Sequence, residues 1–361
     1  MIETTALFFV FASVPYAIDL VNGTSAWRSA WFCGAFGTLA ALQKITTAVP
    51  VLMVMGGVWL WACRRPGEVR RRGRRGLLQV MVAFVLPAMI AGAWAVYAGS
   101  LRVRNPIAAE LEGALRGWNF GTLAQRFNLS DWTTLLWHRI LAQNAGGFLG
   151  VALIAGPLTL PGPARVRSAI LTGLALFLAP LFIFTNLHFV HAYYQAGCAI
   201  FLIGSLALAT VAWLPAVVPQ GAVVPAVTTL LVVSNIMEFR KSYGPMTRTR
   251  LDAANQVTLA VAAALRQHTS AGSGLVVFGQ DWSSETPYYA RRKAFAVPSW
   301  FSGQDRVWAD PARFLGETPS GAIVVFPEAR TPDPMQITQK LAGHPGWRLL
   351  EIQGCRILLA D

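Results

Sequence analysis

The sequence predicts a mainly α, polytopic transmembrane helical bundle of about eight spans, followed by a small C-terminal extracytoplasmic α/β domain. Three observations carry this. The 361 residues are 54% hydrophobic but 13% charged, with a mean hydropathy of +0.47, where a soluble domain carries about 25% charged residues. Apolar runs near the length that a bilayer core requires, about 20 residues, succeed one another up to Ile236. Beyond Glu238 polar residues return, and short strand and helix patterns alternate. The domains therefore divide at residues 1–237 and 238–361.

The first run, residues 6–21, contains Pro15 and ends near Asp19. Runs 30–42 and 45–63 follow, separated by Gln43-Lys44, the earlier one short at its Gly-rich end. Between Arg64 and Arg75 stand seven Arg, the mark of a cytoplasmic loop under the positive-inside rule. Residues 77–100 form a fourth run. A polar connection, 101–137, carries Trp118, Trp132 and Trp137. Runs 140–160, 168–184, 196–214 and 217–236 complete the eight. Arg165 and Arg167, in the turn between the fifth and sixth, fall inside by alternation. Lys44, residues 101–137, His188–Tyr194 and everything after Glu238 then fall outside. Arg102, Arg104, Arg116, Arg126 and Arg139 are many cations for an outside connection, which suits work on an anionic ligand.

The formal charge is +13, and 16 Lys/Arg stand against 6 Asp/Glu up to Ile236. No aromatic residues interleave the Arg run, so the charge speaks for topology and lipid headgroups rather than nucleic acid. Cys33, Cys63, Cys198 and Cys355 are scattered, without CxxC or metal spacing, and read as small apolar residues.

In the second domain, helical spacing covers 251–268, strands cover 274–279 and 321–326, and short helices cover 311–315 and 334–342. Residues 347–352 and 356–360 read as a hairpin. Nucleotide-binding and nucleophile-elbow glycine motifs are absent. The segment Gln280–Arg292 follows a strand end, a usual place for a binding loop. Its Asp281, Trp282, Tyr288, Tyr289 and Arg291 make it the candidate acceptor-side loop.

The stretch from Thr185 to Gln195, between the sixth and seventh runs, is the candidate site. An aromatic belt accounts for Phe189, Tyr193 and Tyr194. It does not account for His188 and His191 with Asn186 and Gln195. Two His at that spacing share a helix face and suit a metal or an anion. No third ligand is evident, so no metal site is assigned, and a divalent ion stays open. Lys44 sits in a tight interhelical turn that has no need of a charge, and an ammonium there suits a lipid phosphate. Of the outside carboxylates, Glu110 and Glu112 cannot share a helix face. Asp131 reads as part of a helix cap. Glu3 remains.

Three stretches carry a family resemblance. They are Gly37-Thr38-Leu39-Ala40-Ala41-Leu42-Gln43-Lys44-Ile45-Thr46; Phe184-Thr185-Asn186-Leu187-His188-Phe189-Val190-His191-Ala192-Tyr193-Tyr194; and Gly279-Gln280-Asp281-Trp282 with Pro287-Tyr288-Tyr289-Ala290-Arg291-Arg292. Together they resemble bacterial lipid-linked-sugar glycosyltransferases of the GT-C type, which include protein mannosyltransferases and the aminoarabinose transferases of lipid A. The resemblance implies inverting transfer from a polyprenyl-phosphate donor to a glycan, lipid or protein acceptor. It places that reaction at the outer face of a bacterial inner membrane, among membrane lipids. Lys44 would then hold the donor phosphate, with His188, His191, Tyr193 and Tyr194 near it. The family's first span and first outside loop, which carry its catalytic Asp or Glu, have no counterpart ahead of Glu3. The resemblance thus implies an N-terminally truncated member, with Glu3 matching a later acidic residue. A transporter or flippase of lipid-linked sugars, and an inactive scaffold, are the competing expectations.

Overall fold

The computed structural model describes residues 2–23, 27–64, 68–104, 117–218, 221–245, 253–327 and 346–360; for 2, 3, 68–72, 192 and 253–255 it describes the backbone alone. The expected helix at 334–342, and Glu110 and Glu112, lie outside the described residues. The chain forms two compact units, Met1–Pro245 and Met246–Asp361. The division lies beyond the expected 237/238, because the last apolar helix, Val223–Ser242, runs on through Glu238, Arg240 and Lys241.

The first unit is helical. Helices α1 (Ile2–Asn22), α2 (Trp27–Gln43) and α3 (Ile45–Cys63) pack together. Helix α2 runs back along α1, Tyr16 stacking on Phe32 with centroids 5.2 Å apart, so α2 ends beside the start of α1. At the opposite end the Ser29 hydroxyl donates to Asp19 Oδ2 at 3.1 Å. Gly34 lets α2 approach the next long helix: a Cβ there would lie 2.5 Å from the Val82 carbonyl oxygen. Small residues make such close helix contacts in apolar surroundings. That neighbour runs Gly73–Arg102 with a π-helical turn at Met81–Val85.

Among the described residues, six helices are long and apolar enough to cross a membrane, or seven when one bent pair counts as a span. Two of the eight expected runs differ. Helix α2 has 17 residues, about 25 Å, and falls short by length. The fifth run is not one straight helix. It is split into Leu129–Asn144 and Phe148–Thr159, bent by 105°. The break has a local cause: Gly146 and Gly147 take φ of +71° and +60°, which glycine alone adopts freely. The first limb stays level with the end of Ala164–Ile183, since Trp132 meets Phe182 in a tilted contact at 4.7 Å and Phe189 edge-on at 5.3 Å.

The described residues of the second unit form a five-stranded sheet in the order β2-β1-β3-β5-β4. Strands β1 (Gly274–Phe278), β2 (Lys293–Ala296) and β3 (Ser320–Val325) are parallel; β4 (Trp347–Ile352) and β5 (Cys355–Ala360) are the expected hairpin. Helix Ala253–His268 buries Val261 and Leu265 with Leu275, Val277, Val324 and Ile357. Phe278 stacks flat on Trp308, centroids 4.2 Å apart. The short, Ala-rich strand β2 and helices Glu285–Ala290 and Gln304–Ala309 were not evident in the hydropathy pattern.

Candidate functional site

Lys44 precedes α3 in a non-helical conformation, φ −148° and ψ 85°. Its carbonyl accepts from the Ala48 amide at 3.0 Å and its amide donates to the Ala40 carbonyl at 2.9 Å. The side chain is therefore raised on a turn joining two helix ends. Its ammonium lies 4.1 Å from the Tyr194 ring centroid. Gly197 allows this meeting, because a Cβ there would stand 2.8 Å from Thr47 Oγ1.

The partner stretch is not one helix. Thr185–Val190 is helical, His191 is extended (φ −116°, ψ 101°), and Ala192–Gln195 is a 3-10 turn. This corrects the expectation that His188 and His191 share a helix face. With the helix ending at Val190, His188 is buried at 2% exposure while His191 stays partly open. The stretch is held both from outside and by a bond within itself. Leu187 N donates to the Asn119 carbonyl at 3.3 Å. Gln125 Nε2 donates to Asn186 Oδ1 at 2.8 Å, and Gln195 Nε2 to the His188 carbonyl at 3.2 Å. Arg126 donates from Nη2 to the Phe120 carbonyl at 2.6 Å and from Nε to that of Phe182 at 3.3 Å, tying down the end of the preceding helix.

The rings form a layer. Tyr194 lies 4.6 Å from Tyr193 and 5.9 Å from His191, and His191 lies 5.5 Å from Trp118. His188 meets Tyr194 edge-on at 6.4 Å. Burial first, and the Lys44 ammonium second, lower the His188 imidazole from 6.5 to about 4. His188 is thus neutral at ordinary pH, and its buried Nδ1 meets no hydrogen-bond partner among the described residues.

Beyond this layer opens a cleft of about 520 Å³. His191, Tyr193 and Gln195 line it, together with Arg139, Gln143 and Asn144 from the first limb of the bent pair. Lys44, Tyr194 and His188 are not among its lining residues. The five residues expected to surround one donor phosphate therefore divide. Lys44 and Tyr194 pair on one side, His191 and Tyr193 face the cleft, and His188 is packed behind. Arg139 was one of five outside Arg in the sequence. Its role at the cleft required knowing that the limb bends back.

Glu3 stands in the first turn of α1; its side chain lies outside the described residues. The antiparallel return of α2 brings that turn to the same end of the bundle as Lys44. Among the described residues, no group of three or more His, Cys, Asp or Glu is placed to hold a metal.

In the second unit, the loop after β1 starts where neighbouring strands diverge, β2 to one side and β3 to the other, the usual ligand position in parallel sheets. Asp281 takes φ +48° and its Oδ1 accepts from the Ser299 amide at 3.0 Å. Trp282 meets Trp300 edge-on at 5.4 Å, and Tyr288 meets Tyr289 at 5.2 Å. All four rings are exposed. Arg291 ends the short helix Glu285–Ala290 in a left-handed conformation.

No family model, curated protein or solved structure matches this chain.

Proposed function

We propose that this protein is a membrane glycosyltransferase that moves a sugar from a polyprenyl-phosphate donor to an acceptor at the outer face of a bacterial inner membrane. The observation that supports it is the Lys44–Tyr194 pair: an ammonium fixed on a rigid turn, at a helix-bundle end, beside His191 and neutral His188.

In inverting transfer the acceptor oxygen bonds to the anomeric carbon from the face opposite the phosphate. The carbon–oxygen bond to phosphate breaks, and its electron pair leaves with the polyprenyl phosphate. The diester monoanion becomes a monoester with a second charge. Lys44 meets the oxygen where that charge grows, and a preorganised cation there stabilises the transition state more than the ground state. The Tyr194 face holds the ammonium in place between turnovers. The acceptor proton goes to a carboxylate, for which Glu3 is the candidate by its level in the bundle. Asp281, Trp282, Tyr288, Tyr289 and Arg291 are the candidates for contact with the acceptor, aromatic faces being suited to sugar rings.

The test is release of sugar from a polyprenyl-phosphate donor by the purified full chain, compared with Lys44→Ala and Glu3→Gln. Loss in Lys44→Ala with intact helicity supports the reading, and unchanged turnover removes it. The bent pair at Gly146-Gly147 favours a second reading, movement of a lipid-linked sugar across the membrane, because broken helices line such paths. Donor that crosses proteoliposomes without losing its sugar would decide for that one.

A further inference from the structure

We propose that the cleft between Arg139 and the start of helix Ala196–Leu208 is a separate lipid site. It takes one phosphate-headed membrane lipid, its head at Arg139 and its chain along Ala199, Leu202 and Ile203.

Three features of the cleft lead here. The first is its charge. Among the described residues that line it, Arg139 is the one Lys or Arg, and none is Asp or Glu. Nη1 of Arg139 donates to the Phe189 carbonyl at 2.6 Å. Among the described residues that is the one hydrogen bond of its guanidinium, so the plane is fixed while the rest of the fork meets no carboxylate among them. A fixed fork loses less freedom on meeting an anion and fits phosphate through two nitrogens.

The second is its polarity gradient. Gln143, Asn144, His191 and Gln195 stand with Arg139 around the polar end. The wall then becomes apolar: Ala196, Ala199, Leu202 and Ile203 follow one helix face at spacings of three and four, joined by Phe177 from the facing helix. From Ala196 to Ile203 that face runs about 10 Å along the helix axis. A free phosphate has no use for such a wall, whereas a lipid chain buries against it.

The third is its separation from Lys44. The ammonium lies over Tyr194, whose ring is 5.9 Å from that of His191 on the cleft wall, and neither Lys44 nor Tyr194 lines the cleft. The cleft therefore belongs to a second lipid and not to the head held by Lys44, and its occupancy does not depend on transfer taking place.

The experiment is native mass spectrometry of the purified, delipidated full chain in detergent. It is titrated with phosphatidic acid, with diacylglycerol of the same chains, and with phosphatidic acid in excess inorganic phosphate. Wild type should retain one phosphatidic acid, with at least tenfold weaker retention of diacylglycerol and no displacement by inorganic phosphate. Ala199→Trp fills the apolar wall and leaves every Arg139 bond in place; it should lower retention tenfold or more. Arg139→Gln should do the same for phosphatidic acid and leave diacylglycerol unchanged. Lys44→Ala should retain the lipid as wild type does. Equal retention by Ala199→Trp would mean annular lipid and overturn the site. Displacement by inorganic phosphate would make it an anion site instead. Loss in Lys44→Ala would merge it with the donor position, and loss of donor turnover with cleft lipid retained would leave it standing.

Discussion

The Lys44 ammonium lies 4.1 Å above the centre of the Tyr194 ring, joining an interhelical turn to the entry of a distant span. A cation over an aromatic face contributes about 0.5–2 kcal/mol, so the ring positions the charge without neutralising it. Lys44→Met should reduce sugar release at least about 100-fold, a barrier increase of about 2.7 kcal/mol. Lys44→Arg should lose less. Tyr194→Phe keeps the ring and should stay within a few-fold of wild type, while Tyr194→Leu falls further. Single-turnover release measures all four. Equal damage from Phe and Leu would show that the hydroxyl matters and the ring does not.

Gly197 and Thr47 form the seam behind that pair. A Cβ at 197 would sit 2.8 Å from Thr47 Oγ1, nearer than van der Waals contact allows. Gly197→Ala should destabilise the helix contact by about 1–3 kcal/mol, the usual cost of overpacking. Thr47→Ala removes the obstructing oxygen and should recover part of the loss. A double-mutant cycle of thermal denaturation in detergent tests the coupling; simple additivity would count against contact at this seam.

His188 sets an acid limit. Its imidazole falls from 6.5 to about 4 in the folded chain, through burial and Lys44, with Tyr194 the other titratable group against it. Below pH 6.5 the unfolded chain takes up the proton first. Stability is therefore lost as pH falls from 6.5 toward 4, and the loss levels off beneath that, at a total on the order of 3 kcal/mol. His188→Gln should flatten the melting temperature across this window. Parallel curves for wild type and variant would reject the assignment.

Arg126 performs a structural task with a cation. It donates to the carbonyls of Phe120 and Phe182, and its own carbonyl accepts from Trp132 Nε1 at 2.9 Å. Arg126→Lys keeps the charge but not the fork, and should lower the melting temperature nearly as far as Arg126→Met, a loss of about 1–3 kcal/mol. Full rescue by Lys would mean that charge alone matters.

Hydropathy was enough to find the long apolar helices, because a segment that can cross a membrane needs about 20 apolar residues. It also placed the sheet's central strands, whose Val-Val and Ile-Val-Val cores are buried on both faces. It was blind to the Gly146-Gly147 break, since glycine changes direction without changing hydropathy. It missed β2, where Lys293, Ala294 and Ala296 offer little apolar signal. At the site, Lys44 stood out as a charge that its turn did not need, and two His stood out against an aromatic belt. Their division between a pair, a cleft wall and a buried position depends on the helix ending at Val190. Three-residue spacing does not reveal such an ending.

The break at Gly146-Gly147 also bears on the membrane around it. The limb Phe148–Thr159 has 12 residues and reaches about 18 Å, against an apolar core about 30 Å thick. Lipid packed beside so short an apolar surface thins locally to keep its chains covered, at a cost that grows with the mismatch. In a bilayer, such thinning would bring headgroups deeper beside this limb. Two glycines that turn the chain would thus also shape the bilayer through which a lipid approaches it.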